Sequence, residues 1–347
     1  MRVMQESAKR IGLKLSGKEN DLITHQVEHS VEKNVIKINE LLNGKLPVDD
    51  STTFDKTVER KEDESFSLTD IQYAYLIGRN AGIPLGGIAT HYYFEVEIFN
   101  PDLQRLNAAL NHTLSLHAML RAELIDSGRQ RISAALEHYE IAVTDCQYID
   151  DNQLQEFINS TRSDMKTHLR SLAIAPSFEI RATLLNKKRV RLHLCFDLMF
   201  IDLHSVKIVM KDWWHFYQNP NVVKSVPEFN FRDYIEREKQ LLQSKQGCRD
   251  KDYWLNKVDT MPSAPELPLY QAPELIKNPI FKTLSHPISL ELVNKLRQSA
   301  TEQGITLETL FLGVYVETLR LWSRRQNFTL TLTQHARRTI SRMCNKA

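Results

Sequence analysis

The stretch "CFDLMFIDLHSV", residues 195–206, sets the problem for the whole chain. Asp197 and Asp202 stand in an otherwise apolar run, with His204 and Ser205 directly behind. An acid in such a run needs a partner, because an unpaired charge is costly to bury. The residues before it, 189–196, alternate with Val190, Leu192, Leu194 and Phe196 on one face, the pattern of a half-buried strand. In a continuing strand, Asp197 and Asp202 would point to opposite faces. They share one site only if the strand ends between them. The spacing therefore predicts a strand–loop–helix corner, with the helix starting near Leu203. Asp202 then lies at the helix N-terminus, where negative charge is stabilised and a carboxylate caps the first turn.

Working outward, helices and strands alternate. "HYYFEVEIF", 91–99, and "FEIRATLL" with "RVRLHLCFDL" across the 186–188 turn read as strands, as do "RAELI", "RQRIS" and "YEIAVTDC". "SLTDIQYAYLIGR" opens on capping residues and reads as a helix. So do 102–120, 151–170, "LHSVKIVMKDWWHFYQ" and one long region, 231–258. Beyond them the pattern predicts a strand at 280–288, helices at 289–303 and 306–323, and a strand "FTLTLT" ending at Thr333. The class is α/β with a mixed sheet. No internal repeat is visible.

The segment 1–64 differs. Leu22, Ile23, Val27, Val31, Val35, Ile36, Ile38, Leu41 and Leu42 approach a helical stripe, Gly44 is a stop, and a charged linker follows. It reads as a helical lead-in that packs on the main domain or docks a partner. Five of the twelve prolines fall in 261–279, an extended connector. The expected organisation is a lead-in over 1–64, a first lobe over 65–260, the connector over 261–279 and a partial second lobe over 280–347.

The totals are those of a globular protein with a real core: 347 residues, 42% hydrophobic, 25% charged. A net charge of +2 argues for neither nucleic acid nor a membrane surface as partner. Cys146, Cys195, Cys248 and Cys344 are far apart and fit free thiols in a reducing compartment. With no signal-peptide core and no apolar run long enough to span a bilayer, the expected location is the cytoplasm.

Asp197-x4-Asp202-x2-Ser205 resembles the DxxxxDxxS signature of heterocyclization domains, the condensation-like domains of nonribosomal peptide synthetases, often of siderophore type. Other stretches resemble the family's motifs in order: "FSLTDIQYAYLIGR" at 66–79, "LHAMLRAEL" at 116–124 with Arg121 in the usual arginine place, "DYWLNKVDTMPSAPELPL" at 252–269, "GITLETLFLGVYVETLRLWS" at 304–323 and "FTLTLTQHARR" at 328–338. The resemblance covers about Ser65 to Arg338. It implies a two-lobe fold like chloramphenicol acetyltransferase. It also implies substrates carried as thioesters on the phosphopantetheine of partner carrier domains, with no cofactor bound directly. The implied reaction joins an acyl group to Cys, Ser or Thr and then cyclises with loss of water. Ordinary condensation domains carry HHxxxDG at this point, so simple peptide-bond formation fits less well.

The match breaks after the Leu-Thr run. "QHAR" departs from the family's Phe-Asn-Arg, and "TISRMCNKA" resembles nothing in it. A second lobe truncated in this way would leave Leu310, Phe311, Val314, Tyr315 and Leu319 partly uncovered. The family's threonine and aspartate that drive cyclodehydration have no counterpart position here. A catalytically inactive remnant, or a carrier-docking module, is therefore the alternative.

Asp197 and Asp202 are the candidate acids for ring closure, where a hydroxyl must leave as water. The competing reading pairs Asp197 with a buried arginine, Arg181 or Arg121. Ser205, in the first helical turn, reads as a capping or packing residue. "HLCFD" also spells the HxxxD of acyltransferases, but Leu198 replaces the usual Gly and His193 shares its strand with the apolar face. Asp202 and His204 lack a third metal ligand at a supporting spacing. "DWWHFY" reads as core packing.

Overall fold

The computed structural model describes residues 65–332 apart from 127, 134–137, 187, 228, 282 and 283. The expected N-terminal helix, the 186–188 turn in part, and the tail with "QHAR" lie outside the described residues. The chain divides into two compact units; the described part of one comprises 65–250 and 271–279, that of the other 251–270 and 280–332.

The first unit is built on a four-stranded mixed sheet in the order β2 (His91–Phe99), β7 (Arg189–Asp197), β6 (Phe178–Leu184), β5 (Ala142–Asp145). β2, β7 and β6 are antiparallel neighbours, and β5 joins β6 in parallel. The parallel step is made possible by helix α3 (Asp151–Thr167), which carries the chain from β5 back to β6. β5 is shorter than the 139–146 segment predicted from sequence.

Register assigns the two faces. Phe94, Leu194 and Ile180 form one row across the sheet, and Phe196 and Phe178 another. On this face lie α2 (Leu103–Leu116) and α4 (Leu203–Gln218). α2 buries Leu106, Ala109, Leu110 and Leu114; α4 buries Val206, Val209, Trp213 and Phe216. These are the helical spacings that put one stripe on the core. Each large side chain so buried contributes about 1.5–3 kcal/mol. Asp102 caps α2 and Asp150 caps α3.

The opposite face is polar. Glu95, His193 and Arg181 form one row, and Tyr93, Cys195 and Glu179 the next. α3 reaches it through Arg162, which pairs with Glu95, and Asp164, which pairs with Arg181 at 2.6 Å. β7 is thus enclosed between an aliphatic layer and an ion-paired one.

A second, three-stranded sheet orders β1 (Phe66–Ser67), β4 (Arg129–Ile132), β3 (Ala122–Asp126). It shares a smaller core of Leu68, Ala122, Leu172, Met199 and Phe200 with Tyr75 and Leu76 of α1 (Asp70–Gly78).

The long helix expected over 231–258 is two helices, α5 (Phe231–Leu242) and α6 (Lys245–Val258). Ser244 makes the break: its hydroxyl accepts from the Gly247 N–H and its carbonyl from the Cys248 N–H. The chain doubles back so tightly that a Cβ on Gly247 would sit 2.3 Å from the Leu242 carbonyl oxygen.

In the second unit, α7 (Leu290–Glu302) and α8 (Leu307–Trp322) pack through Ala300, Leu310 and Leu296. Leu310, expected to be uncovered, is buried, whereas Tyr315 is exposed. The strands expected at 280–288 and 328–333 do not form among the described residues. Neither segment has a ladder partner there, and a strand exists only by pairing with a neighbour. Thr329 instead donates its backbone N–H to the Ser263 carbonyl at 3.0 Å, holding that segment against the connector.

Candidate functional site

The predicted corner is present. β7 ends at Asp197, residues 198–200 turn, and α4 begins at Leu203 with Asp202 as its N-cap. The Asp202 carboxylate accepts from the Ser205 N–H at 2.6 Å. Ser205 therefore contributes its backbone to the cap, while His204 faces solvent.

Asp197 is buried at 5% exposure. One carboxylate oxygen lies 2.6 Å from Nη1 of Arg79, the other 3.0 Å from the Met199 N–H. Its backbone N–H donates to the Ser177 carbonyl, and Leu198 donates to Thr90. The arginine expected for Asp197 is thus Arg79, not Arg181 or Arg121. Arg181 is occupied by Glu179 and Asp164. Arg121 donates to the carbonyls of Leu114 and Ser115 at 2.8 and 3.0 Å, a cation on the C-terminal end of α2.

Arg79 ends α1, and its second guanidinium nitrogen donates to the Arg170 carbonyl. Gln72, two helical turns earlier on the same face, donates to the Met199 carbonyl at 2.9 Å. The first sequence motif, 66–79, therefore acts on the strand end and the turn of the corner through two side chains. Sequence reading missed both. Their seven-residue spacing was a signal that they share a face, but nothing local named their target.

His193 is wholly buried. Its Nδ1 lies 2.8 Å from the Tyr93 hydroxyl and its Nε2 3.0 Å from Thr183 Oγ1. Burial pushes its pKa down, against the pull of Glu95. Burial also raises Glu95, yet hydrogen bonds from Arg162 and Tyr93 hold its carboxyl down at about 2. Both imidazole nitrogens are engaged inside the sheet's polar face, so His193 is a core histidine.

A second buried acid lies on the other side of α4. Asp212 receives Lys224 at 2.5 Å and His117 at 2.9 Å, joining α4 to the C-terminus of α2. Burial would raise its carboxyl, but these two donors bring it below the ordinary range. "DWWHFY" divides: Trp213 is core and donates to the Leu106 carbonyl at 2.9 Å, while Trp214 is 44% exposed and stacks on Tyr217. Among the described residues, Asp202 and His204 join no cluster of three metal-ligating side chains. A half-open depression of about 320 Å³ between Leu103, Asn107, Ala108, Ile141 and Val143 contains none of the corner residues. No described helix is long and apolar enough to cross a membrane.

What the corner does chemically follows from these contacts. The Asp197–Arg79 pair fixes the strand end, Gln72 fixes the turn, and the Asp202 cap fixes the helix start. The result is a rigid backbone bend carrying two carboxylates.

Three comparisons place this architecture. The Condensation domain family matches residues 89–344. Bacitracin synthase 1 of Bacillus licheniformis is 31% identical over 78% of the chain, which spans 5% of that protein. Phenyloxazoline synthase MbtB of Mycobacterium tuberculosis is 28% identical over 81% of the chain, which spans 20% of that protein. The crystal structure of the EpoB nonribosomal peptide synthetase cyclization-docking bidomain from Sorangium cellulosum superposes with a TM-score of 0.70 at 25% identity, covering 93% of this chain and 65% of that one. The fold is the two-lobe, chloramphenicol-acetyltransferase-like α/β fold of these domains. The chain spans at most a fifth of the length of these curated relatives. With the family matched across most of its length, and its strand–corner–helix in place, this chain belongs to the condensation-domain family of nonribosomal peptide synthetases.

Proposed function

We propose that the chain is a heterocyclization domain of a siderophore-type assembly line in the cytoplasm. An acyl group arrives as a thioester on one carrier's phosphopantetheine. The amine of a carrier-bound Cys, Ser or Thr attacks the thioester carbonyl, the amide forms, and the donor's thiol leaves with a proton. The side-chain thiol or hydroxyl then adds to the new amide carbonyl. The resulting hydroxyl leaves as water, giving a thiazoline or oxazoline.

The observation that carries this reading is the corner itself. DxxxxDxxS occupies the bend where ordinary condensation domains carry HHxxxDG, and the imidazole of the HxxxD spelling, His193, has both nitrogens bonded within the core. The names of the phenyloxazoline synthase and of the cyclization bidomain point to the same chemistry. In this proposal Asp197 positions the bend through Arg79. Asp202, half-buried at the start of α4, is the acid to test for the dehydration step, in which a general acid assists the departing hydroxyl.

Incubating the protein with acyl- and cysteinyl- or threonyl-loaded carriers and weighing the products tests it. Condensation followed by loss of one water is the expected result. Neither product, with carrier binding retained, supports the second reading: a non-catalytic module that docks carriers. The Asp197 bonds to Arg79 and Met199 are those a scaffold without chemistry would also keep.

A further inference from the structure

The turn between the two acids is gripped by an amide pair, Gln72 inside the first motif and Gln130 outside it. Gln72 is the third residue of α1 and closes a capping box with Thr69. Its carbonyl oxygen accepts from the Thr69 N–H at 3.0 Å. A capping box needs only that oxygen. The NH₂ group is surplus to it, and donates at 2.9 Å to the Met199 carbonyl and at 2.9 Å to the Gln130 side-chain oxygen.

Gln130, on β4, is wholly buried. Its own NH₂ returns a bond to Gln72 Oε1 at 3.0 Å and gives another to the Ser67 carbonyl at 3.1 Å. Every amide proton of the two side chains has an acceptor. Turning either amide over would set oxygen against oxygen, so each fixes the orientation of the other. Met199 is the middle of the three turn residues between β7 and α4, and its side chain is sealed in the smaller core.

We infer that Gln72, braced by Gln130, is a positioning residue for the corner: it sets the Met199 carbonyl and with it the path of the chain from Asp197 to Asp202. Its consequence for turnover rests on the function proposed above; its effect on the corner does not.

Gln72→Glu separates the two duties of the side chain. A carboxylate still accepts from Thr69 and keeps the capping box. It has no proton for Met199 or Gln130 and repels both oxygens. Amide hydrogen exchange, corrected for intrinsic rates, is read in peptides covering 198–206 and 69–78. The expected result is exchange at the corner faster by about tenfold, the scale of one lost buried hydrogen bond, with α1 unchanged. The difference shrinks at low pH, where a protonated carboxyl regains a donor. Equal exchange at the corner in both proteins overturns the inference, as does equal loosening of α1. If Gln72→Glu does not fold, Gln130→Leu leaves the Gln72–Met199 bond but removes its brace; faster exchange at 198–206 supports the inference and no change overturns it. With loaded carriers, Gln72→Glu lowers kcat and leaves KM for the carriers unchanged. Wild-type protein that makes no product while the variant's corner loosens defeats the proposed function and leaves the positioning role standing.

Discussion

Arg79 and Asp197 meet at 2.6 Å across 118 positions of sequence, and the contact ties the end of α1 to the last residue of β7. Both side chains are nearly closed to solvent, at 10% and 6% exposure. In such a pair the Coulombic gain is largely offset by desolvation. What the pair secures is geometry, and what its loss costs is the burial of one charge alone.

Arg79→Met should therefore destabilise the protein by about 3–5 kcal/mol. Arg79→Lys should recover part of this, since an ammonium can meet Asp197 but cannot also serve the Arg170 carbonyl with the same fork. Denaturant melts of the three proteins check it. Indistinguishable midpoints would show that the pair is not needed.

At Asp202, capping and chemistry separate cleanly. Asp202→Ala removes the acceptor for the Ser205 N–H and should cost about 1 kcal/mol. Asp202→Asn retains the cap and should melt close to wild type. If the carboxyl assists dehydration, the Asn variant still condenses but accumulates the uncyclised amide. Mass spectrometry of carrier-bound product distinguishes the two.

Acid stability should change in two stages. The pKa of His193 and that of His117 are lowered by burial, so the unfolded chain takes up their protons first. Their contribution is present above the unfolded value of 6.5 and is lost progressively as the pH falls below it. Glu95, held at about 2 against an ordinary 4.5, adds stability that is complete above 4.5 and disappears as the pH drops toward 2. Unfolding free energies across this range should fall from near neutrality downward, and more steeply below 4.5. His193→Gln should shrink the upper stage to the part due to His117 and leave the lower one.

Gly247→Ala probes the junction of α5 and α6. The added methyl would meet the backbone oxygens of Leu242 and Leu241 at 2.3 and 2.6 Å, and backbone cannot swing aside as a side chain can. A loss of about 1–3 kcal/mol is expected, measured by thermal melting. A neutral or stabilising substitution would show that the junction relaxes freely.

Much of this was legible in the residues, and the exceptions share a cause. β2 was read at its observed bounds, because strict alternation is a local signal. The corner and its Asp202 cap were read because a cap is satisfied within three residues. The partner of Asp197 was misread, because Arg181 is on the adjacent strand, where it faces His193 rather than Asp197, whereas Arg79 is brought in only by tertiary folding. Gln72 was not singled out: its capping bond to Thr69 is local, but its contact with Met199 spans 127 positions. Among the described residues of 280–288 and 328–333 no strand forms, for the same reason. Alternation qualifies a segment for a sheet, but a neighbouring strand has to be present to make one.

Arg79 completes its grip on the corner by donating to the main-chain oxygen of residue 170, not to its side chain. Any amino acid at that position supplies the same acceptor. A substitution at residue 170 would give up that residue's own pairing with Glu179 but would not release Arg79, and covariation between positions 79 and 170 would carry no trace of their contact. Anyone redesigning this bend should treat the loop's course, rather than its lettering, as the quantity to preserve.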